Sequence, residues 1–167
     1  FAYWGAGLYS EDSGFDIEKS NIRFNLAYIE GGAIYQNGNN MDITESAITS
    51  NTGLDFGGAL VCYMGIMDLD RVTIAGNSSN YGSAFNMREA AITISNSIVW
   101  ENGENTVYSS SSSQASMMNI GYTNFYGGES YLSSSTSIIL DWGEGNLDSN
   151  PLFCSVESNN FSSQFAQ

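Results

Sequence analysis

The sequence repeats about every 26 residues, and this period constrains the fold more than any other feature of the chain. A glycine-led element recurs at offsets of 26, 26 and 25 residues, beginning at Gly5, Gly31, Gly57 and Gly82. A second element follows in each repeat, beginning at Asp16, Asp42, Asp68 and, in a diverged form, Ile92. Repeats of this length are typical of a solenoid, in which each unit packs only against its neighbours.

Apolar residues occupy equivalent positions in every repeat, and the pattern within each repeat indicates strands. The three clearest columns are Leu8, Ile34, Leu60 and Phe85; Ile17, Ile43, Leu69 and Ile94; and Ile22, Ile48, Ile74 and Val99. The apolar runs are short, β-branched and locally alternating, which is strand periodicity. If each turn lies about 4.8 Å from the next, every column points into one continuous core.

The sequence therefore predicts an all-β fold, a right-handed parallel β-helix (solenoid) of about six coils with 25–26 residues per coil. Four coils are explicit, and two weaker ones are traced through Val107, Ile120, Leu132 and Ile139. The chain begins within the repeat pattern, so we expect neighbouring coils or domains of a longer parent protein as its partners.

Composition excludes several classes of function. The chain contains no histidine, which excludes a histidine-based catalytic triad or zinc site. Eighteen acidic residues against four basic ones give a formal charge of −14, which repels nucleic acid and anionic membranes. No apolar run is long enough for a membrane span. We therefore expect no nucleic-acid partner and no membrane span in this segment.

The two cysteines, Cys62 and Cys154, lie far apart in the sequence. They can form a disulfide, or they can be buried as small apolar side chains, and the sequence leaves their pairing open. Two free, buried thiols are the favoured interpretation.

Two polar columns have structural explanations. The first consists of Asn25, Asn51, Asn77 and Asn102, each just after an apolar strand. Stacked asparagines pass amide hydrogen bonds from coil to coil, so we expect an internal ladder here, with a ligand groove as the alternative. The second consists of Lys19, Glu45 and Arg71, whose alternating charges stabilise adjacent strands modestly.

The alternation of a GG-[AS]-[ILF] element with an [IV]-x-x-N element resembles a known family. It is similar to the repeats of polymorphic outer-membrane-type and related adhesin β-helices in the pectin-lyase-like superfamily, clearly over residues 5–102 and weakly beyond. The stretch GEGNLDSNPLF, from Gly143 to Phe153, also resembles the closing segment of many secreted bacterial β-helix proteins. We therefore expect a single domain, with coils over residues 1–142 and a closing or capping segment over residues 143–167.

The resemblance implies an extracellular or cell-surface location, but it assigns no reaction, because the superfamily contains lyases, hydrolases and adhesins. The enzymatic alternative is a polysaccharide lyase or glycoside hydrolase acting on an extracellular polysaccharide. Lyases of the superfamily use an arginine or lysine as the base, and its galacturonan hydrolases use clustered aspartates. Arg88, beside Glu89 in the fourth coil, is the basic residue with the least structural explanation. We assign no catalytic residue from the sequence.

An acidic column suggests a cation site. Asp16, Asp42 and Asp68 share one position, and Glu18, Thr44 and Asp70 lie two residues further along, on the same face of the sheet. Stacked carboxylates repel one another unless they are solvated or bridged. Calcium accepts oxygen ligands from several carboxylates, so Asp16, Asp42, Asp68, Glu18 and Asp70 are candidate calcium ligands, although the protein requires no cofactor to fold. A hydrated acidic face is the alternative.

Aromatic residues suggest a ligand. Tyr9 and Tyr35 follow inward-facing residues in one column and should point outward, and further aromatic residues recur in the later coils at Trp100, Tyr122, Tyr126 and Trp142. Exposed aromatic rings are suited to stacking on sugars, although a terminal cluster can instead cover the end of the core. The sequence therefore predicts a secreted or cell-surface module with a structural or adhesive role. Its candidate partner is a polysaccharide or cell-surface glycan, bound through Tyr9, Tyr35, Trp100 and Arg88.

Overall fold

The computed structural model describes residues 2–103, 105–110, 113–132 and 137–153, which form a parallel β-solenoid of about five turns. In chain order the strands are β1 (Ala2–Trp4), β2 (Leu8–Glu11), β3 (Phe15–Glu18), β4 (Asn21–Arg23), β5 (Leu26–Glu30), β6 (Ile34–Asn37), β7 (Asn40–Thr44), β8 (Ala47–Thr49), β9 (Thr52–Gly53), β10 (Leu60–Tyr63), β11 (Ile66–Asp70), β12 (Thr73–Ala75), β13 (Phe85–Arg88), β14 (Ala91–Ser95), β15 (Ile98–Trp100), β16 (Val107–Ser109), β17 (Ser116–Gly121), β18 (Asn124–Phe125) and β19 (Ile138–Trp142). One short helix, α1 (Gly128–Leu132), precedes β19.

Successive turns contribute one strand each to a set of parallel sheets. Sheet I contains β2, β6, β10, β13 and β16; sheet II contains β3, β7, β11, β14, β17 and β19; sheet III contains β4, β8, β12, β15 and β18; and sheet IV contains β1, β5 and β9. The chain passes from sheet I to II to III, and in the first turns to IV, before it returns to sheet I one turn further along. The predicted parallel β-helix is thereby confirmed.

The apolar columns of the sequence pair in the predicted register. Leu60 pairs with Ile34 on one side and Phe85 on the other, and the Leu69 and Ile74 columns pair in the same way. These side chains form one continuous core, in which the largest fully buried members are Phe85, Phe125, Ile34, Met41, Ile43, Ile48, Leu60, Met67, Leu69, Ile74, Met87 and Ile92. The repeat therefore positions the core as the sequence predicted.

The last turn differs from the prediction of a sixth coil. Sheet II gains a sixth strand, β19, whereas sheets I and III have five strands each. Leu132, through which we traced the last coil, lies in α1 rather than in a strand, and its side chain is buried in the core. The helix replaces a strand where the 26-residue spacing is lost, and Trp142 packs beside Phe125 at the same end.

Glycine is required at the corner between sheets IV and I. Gly31 has a φ of 69°, which L-residues with a side chain rarely adopt. A Cβ atom on Gly32 would collide with the carbonyl oxygen of Gly58 in the next turn. The glycine pairs thus allow neighbouring turns to approach closely.

The asparagine column forms the predicted internal ladder. Asn25 Nδ2 donates to Asn51 Oδ1 at 2.9 Å, Asn51 Nδ2 to Asn77 Oδ1 at 3.0 Å, and Asn77 Nδ2 to Asn102 Oδ1 at 2.9 Å. The backbone N–H of each donor residue also binds the same oxygen of the next turn. Each later Nδ2 donates back to a carbonyl of the preceding turn, as Asn51 Nδ2 does to the oxygen of Ile22 at 3.0 Å. Asn51 is fully buried, so the ladder satisfies groups that water cannot reach.

The charged column also lies where the sequence predicted it. Arg71 Nη2 lies 3.4 Å from Glu45 Oε1, and Lys19 Nζ lies 3.9 Å from Glu45 Oε2. All three side chains are largely exposed, so their contribution to stability is small.

Replacing Asn51 with alanine should lower the free energy of unfolding by about 2–3 kcal/mol, because it leaves buried donors of Asn25 and carbonyls of the preceding strand without partners. Asn40→Ala is the control, since Asn40 is exposed, and it should change stability by less than about 0.5 kcal/mol. Urea unfolding followed by circular dichroism measures both variants. Equal effects of the two substitutions would show that the ladder does not stabilise the solenoid.

Candidate functional site

The outer face of sheet I gathers aromatic and polar side chains from four successive turns. Because alternate residues of a strand point to opposite faces, the residues that follow the inward-facing Leu8, Ile34, Leu60 and Phe85 point away from the core. One outward column contains Tyr9, Tyr35, Val61, Asn86 and Tyr108, and the column beside it contains Glu11, Asn37, Tyr63 and Arg88. We use the name tyrosine face for the surface formed by seven residues of these columns: Tyr9, Glu11, Tyr35, Asn37, Tyr63, Asn86 and Arg88.

The tyrosine rings form a continuous strip along the solenoid axis. The rings of Tyr9 and Tyr35 stack with centroids 5.2 Å apart and planes inclined by 5°. The Tyr63 ring meets the Tyr35 ring edge-on, at 5.7 Å and 83°. Tyr9 is 49% exposed and Tyr35 is half-buried, so the outer part of the strip is open to a ligand. The sequence prediction that both tyrosines point outward is confirmed.

The inner end of the strip is polar. Arg88 lies over the Tyr63 ring, with its Cζ atom 4.1 Å from the ring centroid, in a cation–π contact. Asn86 Nδ2 donates to the Tyr63 hydroxyl oxygen at 2.7 Å, and the Glu30 carboxyl lies close enough to that hydroxyl for each group to shift the pKa of the other. Tyr63 is only 6% exposed, so these contacts hold its ring in one position.

Glu30 reaches the tyrosine face from the neighbouring sheet. It is the last residue of β5, directly before the glycine corner, and its side chain is half-buried. Burial raises the pKa of the Glu30 carboxyl, and the nearby charge of Asp55 adds to the rise, whereas the Tyr63 hydrogen bond and the charge of Arg88 oppose it. Burial likewise raises the pKa of Tyr63, which keeps its hydroxyl protonated.

Two amide oxygens on this face accept no hydrogen bond. The Oδ1 atoms of Asn37 and Asn86 are buried and have no partner among the described residues. Asn37 pairs in register with Tyr63, and Asn86 is bonded to the same tyrosine, so both acceptors border one side chain. Buried acceptors without donors are rare, and because these two atoms are inaccessible they belong to the interior of the face rather than to the surface that a ligand could contact.

A second aromatic cluster adjoins the tyrosine face across the corner. Phe56 and Tyr81 stack at 5.3 Å, and Tyr108 packs against them at 5.7 and 5.2 Å respectively. Phe56 pairs by a β-bridge with Glu30, and Tyr108 belongs to the same column as Tyr35. The two groups of rings therefore form one extended aromatic surface around Glu30.

The prediction for Trp100 requires correction. Trp100 ends β15 in sheet III, so it does not lie on the tyrosine face. It is 6% exposed and packs against Tyr126, with ring centroids 5.0 Å apart, and in a cluster with Ala75 and Phe153. The ring is covered because Phe153, from the non-repeating closing segment, lies against the outer side of sheet III. The surface thus includes Tyr9, Tyr35 and Arg88 but not Trp100.

The acidic column is in register, but its carboxylates do not come together as a cluster. Asp16 pairs with Asp42 and Asp42 with Asp68 along sheet II, and all three are exposed. Glu18 is paired with Lys19 at 2.6 Å, and Asp70 accepts a hydrogen bond from Asn96 Nδ2 at 2.7 Å. That hydrogen bond, with one from Ser95 and the charge of Arg71, holds the pKa of Asp70 below its usual value.

In the part of the chain that the structure describes, no group of three or more histidine, cysteine, aspartate or glutamate side chains is arranged to hold a metal ion. The calcium site stays a prediction.

Cys62 is a free thiol within the core. It is fully buried, and its Sγ donates to Gln36 Oε1 at 3.4 Å. Burial raises the pKa of the Cys62 thiol to about 12, so it is protonated and unreactive at neutral pH. This agrees with the favoured interpretation for Cys62, while Cys154 lies outside the described residues.

Sequence reasoning missed three members of the polar group, namely Glu30, Tyr63 and Asn86. Tyr63 and Asn86 carry a usable signal, because each lies an odd number of residues after the inward-facing residue of its strand, Leu60 or Phe85, and therefore faces outward. Glu30 carries none, since its contact with Tyr63 depends on the angle at which sheets IV and I meet.

Comparisons with protein-family models, curated proteins and solved structures find no match to this chain. No helix in the described ranges is long and apolar enough to cross a membrane.

Asp42→Asn should raise the melting temperature by about 1–2 °C at low ionic strength, because it removes the central charge of three that stand in register. Asp141→Asn is the matched control. Asp141 occupies the same column but pairs with the neutral Asn119, so its replacement should change the melting temperature little. Thermal unfolding at two salt concentrations measures both, and the gain at Asp42 should vanish at high salt.

The same experiment tests for calcium. If millimolar calcium stabilises the wild-type protein more than sodium chloride of equal ionic strength, and Asp42→Asn abolishes that difference, the column binds calcium. That result would contradict the interpretation of the column as mutually repelling, solvated charges.

Proposed function

We propose that this chain is a β-solenoid module of an extracellular or cell-surface protein, with a structural or adhesive role, that binds glycan through the tyrosine face. The observation that carries the proposal is the parallel stack of Tyr9 and Tyr35, in equivalent positions of consecutive turns and open on its outer side. The core does not require these rings, because they point away from it.

Sugars match this surface chemically. A pyranose ring presents a patch of C–H groups that packs against an aromatic ring, and a rim of hydroxyl groups that both donate and accept hydrogen bonds. The tyrosine face supplies rings at Tyr9 and Tyr35, and the half-buried carboxyl of Glu30 beside them is an acceptor. Sites of this kind, mostly apolar with a few polar groups that fix orientation, are typical of small-molecule and glycan ligands.

The repeated geometry favours a polymer over a single sugar. Equivalent side chains recur at each turn, about 4.8 Å apart, so a chain of identical units can make similar contacts with successive turns. The second cluster of Phe56, Tyr81 and Tyr108 extends the aromatic surface beyond the first two turns. Several weak contacts along one rigid surface add to a useful affinity.

One observation supports the enzymatic alternative, a polysaccharide lyase or glycoside hydrolase. Glu30 is a half-buried carboxyl whose raised pKa helps it to retain a proton, as a general acid must, and its neighbour Asp55 is an exposed second carboxyl. The hydrolytic reaction would require both carboxyls to flank one glycosidic bond. We favour binding, because the aromatic strip is the more extensive feature.

Tyr35→Ala should weaken glycan binding about tenfold, because it removes the central ring of the strip. Affinity gel electrophoresis with soluble hydroxyethyl cellulose, xyloglucan, galactomannan and β-1,3-glucan measures the retardation of each variant. Tyr122→Ala is the control, because Tyr122 is 63% exposed and lies just after β17 of sheet II. It should bind as the wild type does.

If none of these polymers retards the wild-type protein, or if both variants bind equally well, the tyrosine face does not bind glycan. Incubating the same polymers with the protein and assaying for new reducing ends or unsaturated products distinguishes binding from cleavage. A product whose formation requires Glu30 would replace the binding proposal with the enzymatic one.

A further inference from the structure

We infer that the tyrosine face selects glycans without anionic groups over anionic glycans of the same backbone. The inference rests on the proposed function and adds the class of ligand to it. It follows from two features of the face: it carries few cationic side chains, and its one cation is already paired within the protein.

Arg88 is the one basic residue of the tyrosine face. The chain contains four basic residues in all. Lys19 and Arg71 lie with Glu45 in the charged column after sheet II, and Arg23 in sheet III lies over the Phe24 ring at 5.5 Å. Only one positive charge on the whole aromatic surface is therefore available to pair with the anionic groups of a polymer.

That charge is already compensated within the protein. The guanidinium of Arg88 lies on the Tyr63 ring, and its charge acts on the Glu30 carboxyl. Glu11 accepts a hydrogen bond from the Tyr9 hydroxyl at 2.8 Å, and Asp55 lies near Glu30. The carboxyls outnumber the one guanidinium even where Glu30 retains its proton, so a carboxylate or sulfate on a ligand would be repelled.

A matched pair of polymers tests this selectivity. Hydroxyethyl cellulose and carboxymethyl cellulose share one backbone and differ in charge, as do highly methyl-esterified and de-esterified homogalacturonan. For whichever backbone binds, we expect the uncharged form to bind at least about tenfold more tightly in low salt. The difference should shrink in about 0.5 M sodium chloride, because salt screens the repulsion.

Two variants separate the charge of the face from the net charge of the chain. Glu11→Gln removes one negative charge from the tyrosine face and keeps an acceptor for the Tyr9 hydroxyl. Asp141→Asn removes one negative charge from sheet II, away from the face. Glu11→Gln should reduce the ratio of the affinities for the uncharged and the anionic polymer about threefold, and Asp141→Asn should leave that ratio unchanged.

The possible failures are distinguishable. If no polymer of either charge binds, the proposed function is wrong. If the anionic form binds as well as its uncharged partner, glycan binding stands but the selectivity inference is overturned. It is likewise overturned if Asp141→Asn narrows the difference as much as Glu11→Gln does, because the net charge of the chain would then determine selectivity.

Discussion

The stacking of each turn on the next in a fixed register is the constraint on which the rest of this structure depends. Parallel pairing at an offset of 25 or 26 residues places equivalent side chains one above another, about 4.8 Å apart. A residue type that recurs at one position of the repeat therefore forms a column of like side chains along the solenoid axis. Apolar positions become a continuous core, and the position after sheet III becomes a ladder of buried asparagines.

The same constraint has opposite consequences on two outer faces. On sheet II it brings Asp16, Asp42 and Asp68 into mutual repulsion, which water and salt must offset. On sheet I it brings Tyr9 and Tyr35 into a favourable parallel stack. In a solenoid, one residue type at one position of the repeat thus forms an extended surface. This is why we place a polymeric ligand on the face where the repeated residue is aromatic.

The features that follow the repeat were predictable from the sequence, and those that depend on contacts between different columns were not. The core columns, the asparagine ladder and the column of Lys19, Glu45 and Arg71 recur at a fixed offset, so register alone determines their neighbours. Glu30 meets Tyr63 across a corner between two sheets, at an angle the repeat does not specify.

The two wrong expectations have one origin. Trp100 is covered by Phe153, and Leu132 lies in a helix; both Phe153 and α1 belong to the part of the chain where the repeat has ended.

Deletion of one full turn tests the central claim, that a 26-residue unit stacks in a fixed register, most directly. Removing residues 31–56 joins Glu30 to Gly57 and preserves every column, whereas removing residues 31–43 places strands of one sheet over another. We expect the first variant to keep the circular dichroism of a β-sheet and one cooperative urea transition, with reduced stability, and the second variant not to fold. Equal behaviour of the two variants would show that the turns do not stack in a fixed register.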